Sequence, residues 1–207
     1  MSLDIGMLDP GDHAILSQLA PEDVLDGAAT LDEALRRHYA DHGLPPDGGE
    51  TARWFTVRMG PVRIPLPNPP ARQRALFIHD ANHVLTGYDT VFSDGEMSIA
   101  AFEVGAGCGR LWVAWFLNLS LMALGALVRP RRVLRAFARG RRTESLYTRT
   151  EPRAVLRQMR IVELRRLVRL DAGPLEVRAG DVGAFLAWVI PLWLLVGLTS
   201  VTLMAAL

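Results

Sequence analysis

Apolar positions recur at helical spacing over most of this chain. Residues 21–40, "PEDVLDGAATLDEALRRHYA", predict an acidic helical segment whose apolar face is Val24, Leu25, Leu31, Ala34, Leu35 and Tyr39. The Gly and Pro residues of "DHGLPPDGGE" end it. "WFTVRM" and "PVRIPL" flank Gly60 and predict a small hairpin near 53–66, held to an edge by its prolines. In "PLPNPP" each proline keeps the residue before it out of the α region, so the next helix starts near Ala71 and runs to Gly87, a natural stop. Another helix is predicted from Gly95 and Glu96 into the uncharged stretch 111–128, "LWVAWFLNLSLMALGALV". A basic amphipathic helix follows in "AVLRQMRIVELRRLVRL" at 154–170. The final 26 residues, 182–207, are uncharged; as a helix they would reach roughly 39 Å, enough for a bilayer core even with a bend at Pro191.

The pattern predicts an all-α protein: a compact helical domain with an edge hairpin and a C-terminal membrane-associated helix. Its parts are an acidic N-terminal helical extension (1–50), the helical domain proper (51–178) and a membrane anchor (179–207). At 207 residues the chain has room for one domain with a real core plus such appendages.

Composition supports contact with lipid or an apolar ligand, since 50% of residues are hydrophobic and mean hydropathy is positive. The single Cys108 excludes an internal disulfide. The first twenty residues carry acids and lack the basic and apolar regions of a signal peptide, so the start is expected in the cytoplasm. Charge is unevenly spread. Residues 1–128 hold 8 Arg against 16 acids, and residues 129–178 hold 15 Arg against 5 acids, with no lysine anywhere. A basic block of this kind can meet nucleic acid or anionic lipid. Because it abuts apolar stretches and has no nucleic-acid motif, lipid is the expected partner and nucleic acid is not. If 111–128 and 182–207 both crossed, the positive-inside rule would put the basic block inside and the upstream histidines outside. The simpler expectation is that 111–128 is buried or interfacial and only the tail inserts, with the Arg-rich face on the headgroups of the same cytoplasmic side.

The chemistry concentrates in "LFIHDANHVLTGYDTVFSDGE" at 76–96. His79 and His83 are spaced i, i+4, which puts two imidazoles on one helix face about a turn apart, where they can share a metal. Asp80 is turned roughly 100° from His79 and can join the same centre or orient a ligand. Glu96, after a turn, is the best further donor, and Glu103 is a candidate further ligand or base. Paired histidines also occur as ordinary core residues, so the spacing alone leaves both readings open. A His-Asp phosphohydrolase would need extra ligands such as His38 or His42 and Asp171, which nothing in the sequence places.

The run from "PLPNPPARQRALFIHDANHVLTGYDT" to "GEMSIAAFE", with "ARGRRTESLY" at 138–147, resembles the coenzyme Q (ubiquinone) biosynthesis protein 4 family over about 53–107 and more loosely to 178. The resemblance implies an all-α domain with a divalent metal, zinc first and iron or manganese as alternatives, on His79, Asp80, His83 and Glu96. It implies a role in ubiquinone synthesis: metal-dependent, oxidative decarboxylation at C1 of a polyprenyl hydroxybenzoate-type ring, or, alternatively, a non-catalytic quinone or isoprenoid scaffold for partner enzymes. The implied partners are membrane lipid, a polyprenyl quinone intermediate, other quinone-biosynthesis or membrane proteins and a second copy in a homodimer. The implied location is the bacterial inner membrane, with the metal site facing the cytoplasm. Twelve residues separate His83 from Glu96, one more than the family's usual spacing, which leaves Asp94 as the rival carboxylate.

Overall fold

The computed structural model describes residues 29–59, 62–170 and 176–206. The expected helix positions before residue 29, including Val24 and Leu25, lie outside them, as do Gly60 at the hairpin turn and Asp171. Among the described residues the chain forms eight α-helices and one two-stranded antiparallel hairpin.

Helix α1 (Leu31–Asp41) opens on a capping box in which the Thr30 side chain and Glu33 bond each other's backbone N–H. It buries Leu31, Leu35 and Tyr39 in the central core. Strands β1 (Trp54–Met59) and β2 (Val62–Pro67) pair from Trp54 with Pro67 to Met59 with Val62. Helix α2 (Pro70–Thr86) starts with proline at its first position and stops at Gly87, whose φ of 74° suits a residue without a side chain.

The predicted continuous helix from 95 to 128 is broken. A single π-helical turn, Phe92–Glu96, leads into α3 (Met97–Ala106); Gly107, Cys108 and Gly109 then interrupt before α4 (Trp112–Val128). Gly107 and Gly109 have positive φ (93° and 55°), which ends α3 and redirects the chain. Helix α3 is apolar nearly all round and buried for most of its length, as expected of the central element. It crosses α5 (Pro130–Gly140) at backbone distance: a Cβ on Gly105 would stand 2.2 Å from the Phe137 carbonyl, and one on Gly140 would stand 2.0 Å from that of Phe102.

The predicted basic helix at 154–170 is likewise two short ones, α6 (Arg153–Gln158) and α7 (Ile161–Leu167). Between them Met159 and Arg160 are extended because they pair with the chain before α1: Leu31 N–H donates to Met159 O and Ile161 N–H to Ala29 O, both at 2.9 Å. Much of the Arg-rich block is spent inside the domain. Arg153 clamps Glu50, Arg157 bonds Asp32 at 2.6 Å, Arg149 bonds Glu151 at 2.9 Å, and Arg165 donates to Leu85 O at 3.0 Å.

Helix α8 (Ala179–Ala206) is the one helix among the described residues long and apolar enough to cross a membrane. Its first half belongs to the domain. Arg141 and Arg142 hold Asp181 at its start, and Phe185 and Val189 sit in the core. Trp188 stacks on Trp115 at 5.5 Å and Trp193 donates to Ala123 O at 3.1 Å, so α8 runs beside α4 in the same direction. Beyond Trp193, Leu194 is 68% exposed and Leu198 64%. Helix α4 also presents an apolar outer face, Trp112, Phe116, Leu124 and Leu127, at i, i+4, i+12 and i+15.

Candidate metal centre

Helix α2 carries His79 and His83, and the π turn brings Glu96 back to them. The two Nε2 atoms are 3.2 Å apart; His79 Nε2 lies 3.5 Å from Glu96 Oε2, and His83 Nε2 lies 3.6 Å from Glu96 Oε1. These three residues form a cluster that could hold a metal ion.

What points the donors inward is the far side of each ring. His83 Nδ1 lies 2.8 Å from Tyr88 O, which can only accept, so Nδ1 carries the proton and Nε2 presents its lone pair. His79 Nδ1 lies 3.3 Å from Glu103 Oε1. Two ring nitrogens and a carboxylate therefore converge with no hydrogen between them unless a proton or a metal supplies the positive charge. The spacing suits a metal: bonds of about 2.0–2.1 Å to a tetrahedral zinc put neighbouring donors about 3.3 Å apart. Two nitrogens and one oxygen also match the His2Glu donor set of catalytic zinc sites, which keep a fourth position open.

Glu103 is fully buried and makes no contact with solvent. Its carboxylate accepts from Asn82 Nδ2 at 2.8 Å, Tyr147 OH at 2.9 Å and Asn118 Nδ2, and it faces His79. This is the carboxylate-histidine arrangement that fixes ring orientation in metal sites. Glu103 thus lies behind His79 as an orienting group, with no open side from which to act as a base. Burial would raise its pKa, and His79 with the surrounding donors lowers it instead. In return, although burial opposes it, Glu103 and Glu96 raise the His79 pKa well above its ordinary value. Burial lowers that of His83. Glu96, despite its own burial, is pulled down to about 2 by the two histidines. Without a metal the site therefore keeps its positive charge as a proton on His79.

Asp80 is placed differently from its neighbours. It is buried, its Oδ2 accepts from Tyr39 OH at 3.0 Å, and burial raises its pKa to about 6. The cluster of converging donors does not include it. Asp94 turns away toward Arg132 (3.3 Å) and Arg129 (3.5 Å), which removes it as the rival of Glu96.

The π turn explains how Glu96 arrives. Val91 O accepts from the N–H groups of Asp94, Gly95 and Glu96, the last being the i→i+5 bond that accommodates one extra residue in a turn. Gly95 is what allows it, since a Cβ there would sit 1.5 Å from Asp89 O.

Sequence reading missed Asn82, Asn118 and Tyr147. Asn118 had a signal, as the one amide in the apolar stretch 111–128. It also missed that His38 stacks on His83 (5.7 Å, 26°), where burial and the neighbouring His83 lower its pKa to about 4. No family model matches the chain, and no curated protein or solved structure matches it either.

Proposed function

We propose that this protein is a membrane-associated, metal-dependent enzyme of ubiquinone synthesis that removes the C1 carboxylate of a prenylated hydroxybenzoate-type ring. The carrying observation is the inward convergence of His79, His83 and Glu96, with both imidazoles pinned from behind, on a domain that bears the apolar helix α8. The sequence resemblance at "HDANH" and "GEMSIAAFE" supplies the substrate class.

His79, His83 and Glu96 would hold the metal, zinc by donor type, with Fe(II) or Mn(II) also compatible. A bound metal supplies Lewis acidity, drawing off charge from an oxygen of the substrate. The remaining work falls to the chain. Glu103 and the Tyr88 carbonyl hold the two rings in register, so little reorganisation is needed when the substrate arrives. In the decarboxylation itself the bond between C1 and the carboxyl carbon breaks, the electron pair stays on the ring, CO2 leaves and C1 takes a proton. Placing a hydroxyl there instead removes two further electrons and needs an oxidant such as O2. A polyprenyl substrate is too apolar to leave the bilayer, which would account for the exposed apolar residues Leu194 and Leu198 of α8 and the apolar outer face of α4. The cytoplasmic side of the inner membrane is the matching location.

Complementation of a quinone-deficient strain tests the reading, with wild type and His83→Ala compared and lipids identified by mass spectrometry. Wild type should restore quinone and His83→Ala should accumulate a ring-carboxylated precursor. Rescue by both would refute the metal-dependent step and leave a non-catalytic carrier that recruits partner enzymes.

A further inference from the structure

Arg72 lies seven residues before His79 and eleven before His83 on α2, which returns it to within about 20° of the same helix face. Its guanidinium carbon sits 3.6 Å from the Phe55 ring centroid of β1, and its Nη1 donates to Asn68 Oδ1 at 3.0 Å. Asn68 is itself fixed, 5% exposed, with its amide donating to the carbonyls of Gly49, Glu50 and Ala52. The cation is therefore held in one place by a stack and a hydrogen bond, neither of which neutralises it. Among the described residues no carboxylate comes within 4.0 Å of it, in contrast to Arg141, Arg142, Arg149, Arg153 and Arg157, each of which has an acid partner. Along that face it stands two helical turns, about 10 Å of rise, before His79.

A half-buried arginine with no carboxylate in direct contact leaves its fork open to an anion that completes it. Its planar fork also has donors to spare, in the geometry that suits a carboxylate. We propose that Arg72 is the anion-recognition residue of this site, receiving the carboxylate of an aromatic acid that lies along the metal-facing side of α2. This rests on the metal-site reading above and adds to it the group that selects an acid over its neutral analogue. Arg72 is a positioning and specificity residue, and neither loses nor gains a proton.

The test uses the full chain in detergent, loaded with cobalt(II), and titrated calorimetrically with 4-hydroxybenzoate and with 4-hydroxybenzamide. Wild type should favour the acid by about tenfold or more, the size of one charge-assisted hydrogen bond. Arg72→Gln should bring that ratio to about one while leaving the cobalt absorption spectrum and the amide affinity unchanged, and Arg72→Lys should keep part of it. A purely structural role for Arg72 would weaken both probes together and leave the ratio alone. The proposal is overturned if wild type shows no preference for the acid, or if Arg72→Gln retains it. Failure of cobalt to bind wild type would refute the metal reading separately, and the acid-to-amide ratio of the metal-free chain would then decide the role of Arg72.

Discussion

Replacing Glu103 by Gln probes the centre without changing its shape. The carboxylate accepts from four donors, His79, Asn82, Asn118 and Tyr147, and offers none in return. Gln would turn one oxygen into an NH2 group facing two of those donors, and would remove the charge that holds the His79 ring. Losing charge assistance costs about 1 kcal/mol per bond. Part of that is offset because a buried charge no longer has to be desolvated. The net expectation is a loss of about 1–3 kcal/mol, or roughly 2–12 °C in Tm for a chain of this size. Zinc affinity, measured by competition with a chromophoric chelator at pH 7.5, should fall about 10- to 100-fold, as for other groups that orient a metal-bound histidine. Zinc affinity within threefold of wild type together with lost activity would refute this reasoning and make Glu103 a base.

Gly95→Ala should cost at least tenfold in zinc affinity by the same assay, because its methyl group would fall 1.5 Å from Asp89 O and must push Glu96 away from the histidines. The pH dependence has opposite signs with and without metal. The His79 pKa is raised in the fold, so its contribution to metal-free stability is full below the unfolded value of about 6.5 and is lost as pH rises through the folded one. Metal must displace that proton, so zinc affinity should climb by about tenfold per pH unit until the His79 pKa is passed, which chelator competition from pH 6 to 8.5 would show. For the membrane, Trp188 and Trp193 of α8 pack on α4, so the apolar outer face of α4 lies beside the helix that would insert. The outer face of α4 should therefore enter lipid too, and a variant with Trp112 as its sole tryptophan should be quenched by brominated phospholipid; quenching no greater than in detergent would count against it.

How far the sequence could be read follows from how local each cause is. Helix α2 was legible because proline and glycine bracket it, and the i, i+4 histidines were legible because helical geometry alone puts them on one face. The break at Gly107 was not, since the apolar pattern runs through it and only the tertiary position of α3 demands a stop. The 154–170 helix failed for a similar reason: pairing of Met159 and Arg160 with residues 29–31 overrides a good amphipathic pattern. At the centre, Glu96 was found by its place after a turn, while Asn82 and Tyr147 left no local signal, because they meet Glu103 from α2 and from the turn at Leu146–Thr148, up to 44 residues away. The basic block read as a lipid-facing surface, but which arginines are spent on internal acids depends on contacts as distant as Glu50 with Arg153.

The proposed chemistry depends on His79, His83 and Glu96 holding a divalent metal. Plasma mass spectrometry of the full chain, purified without chelators, measures it most directly, with the double variant His79→Ala, His83→Ala alongside. Wild type should carry about one divalent ion per chain and the variant less than about a tenth of that. Metal absent from wild type, or equally present in both, would contradict the metal assignment.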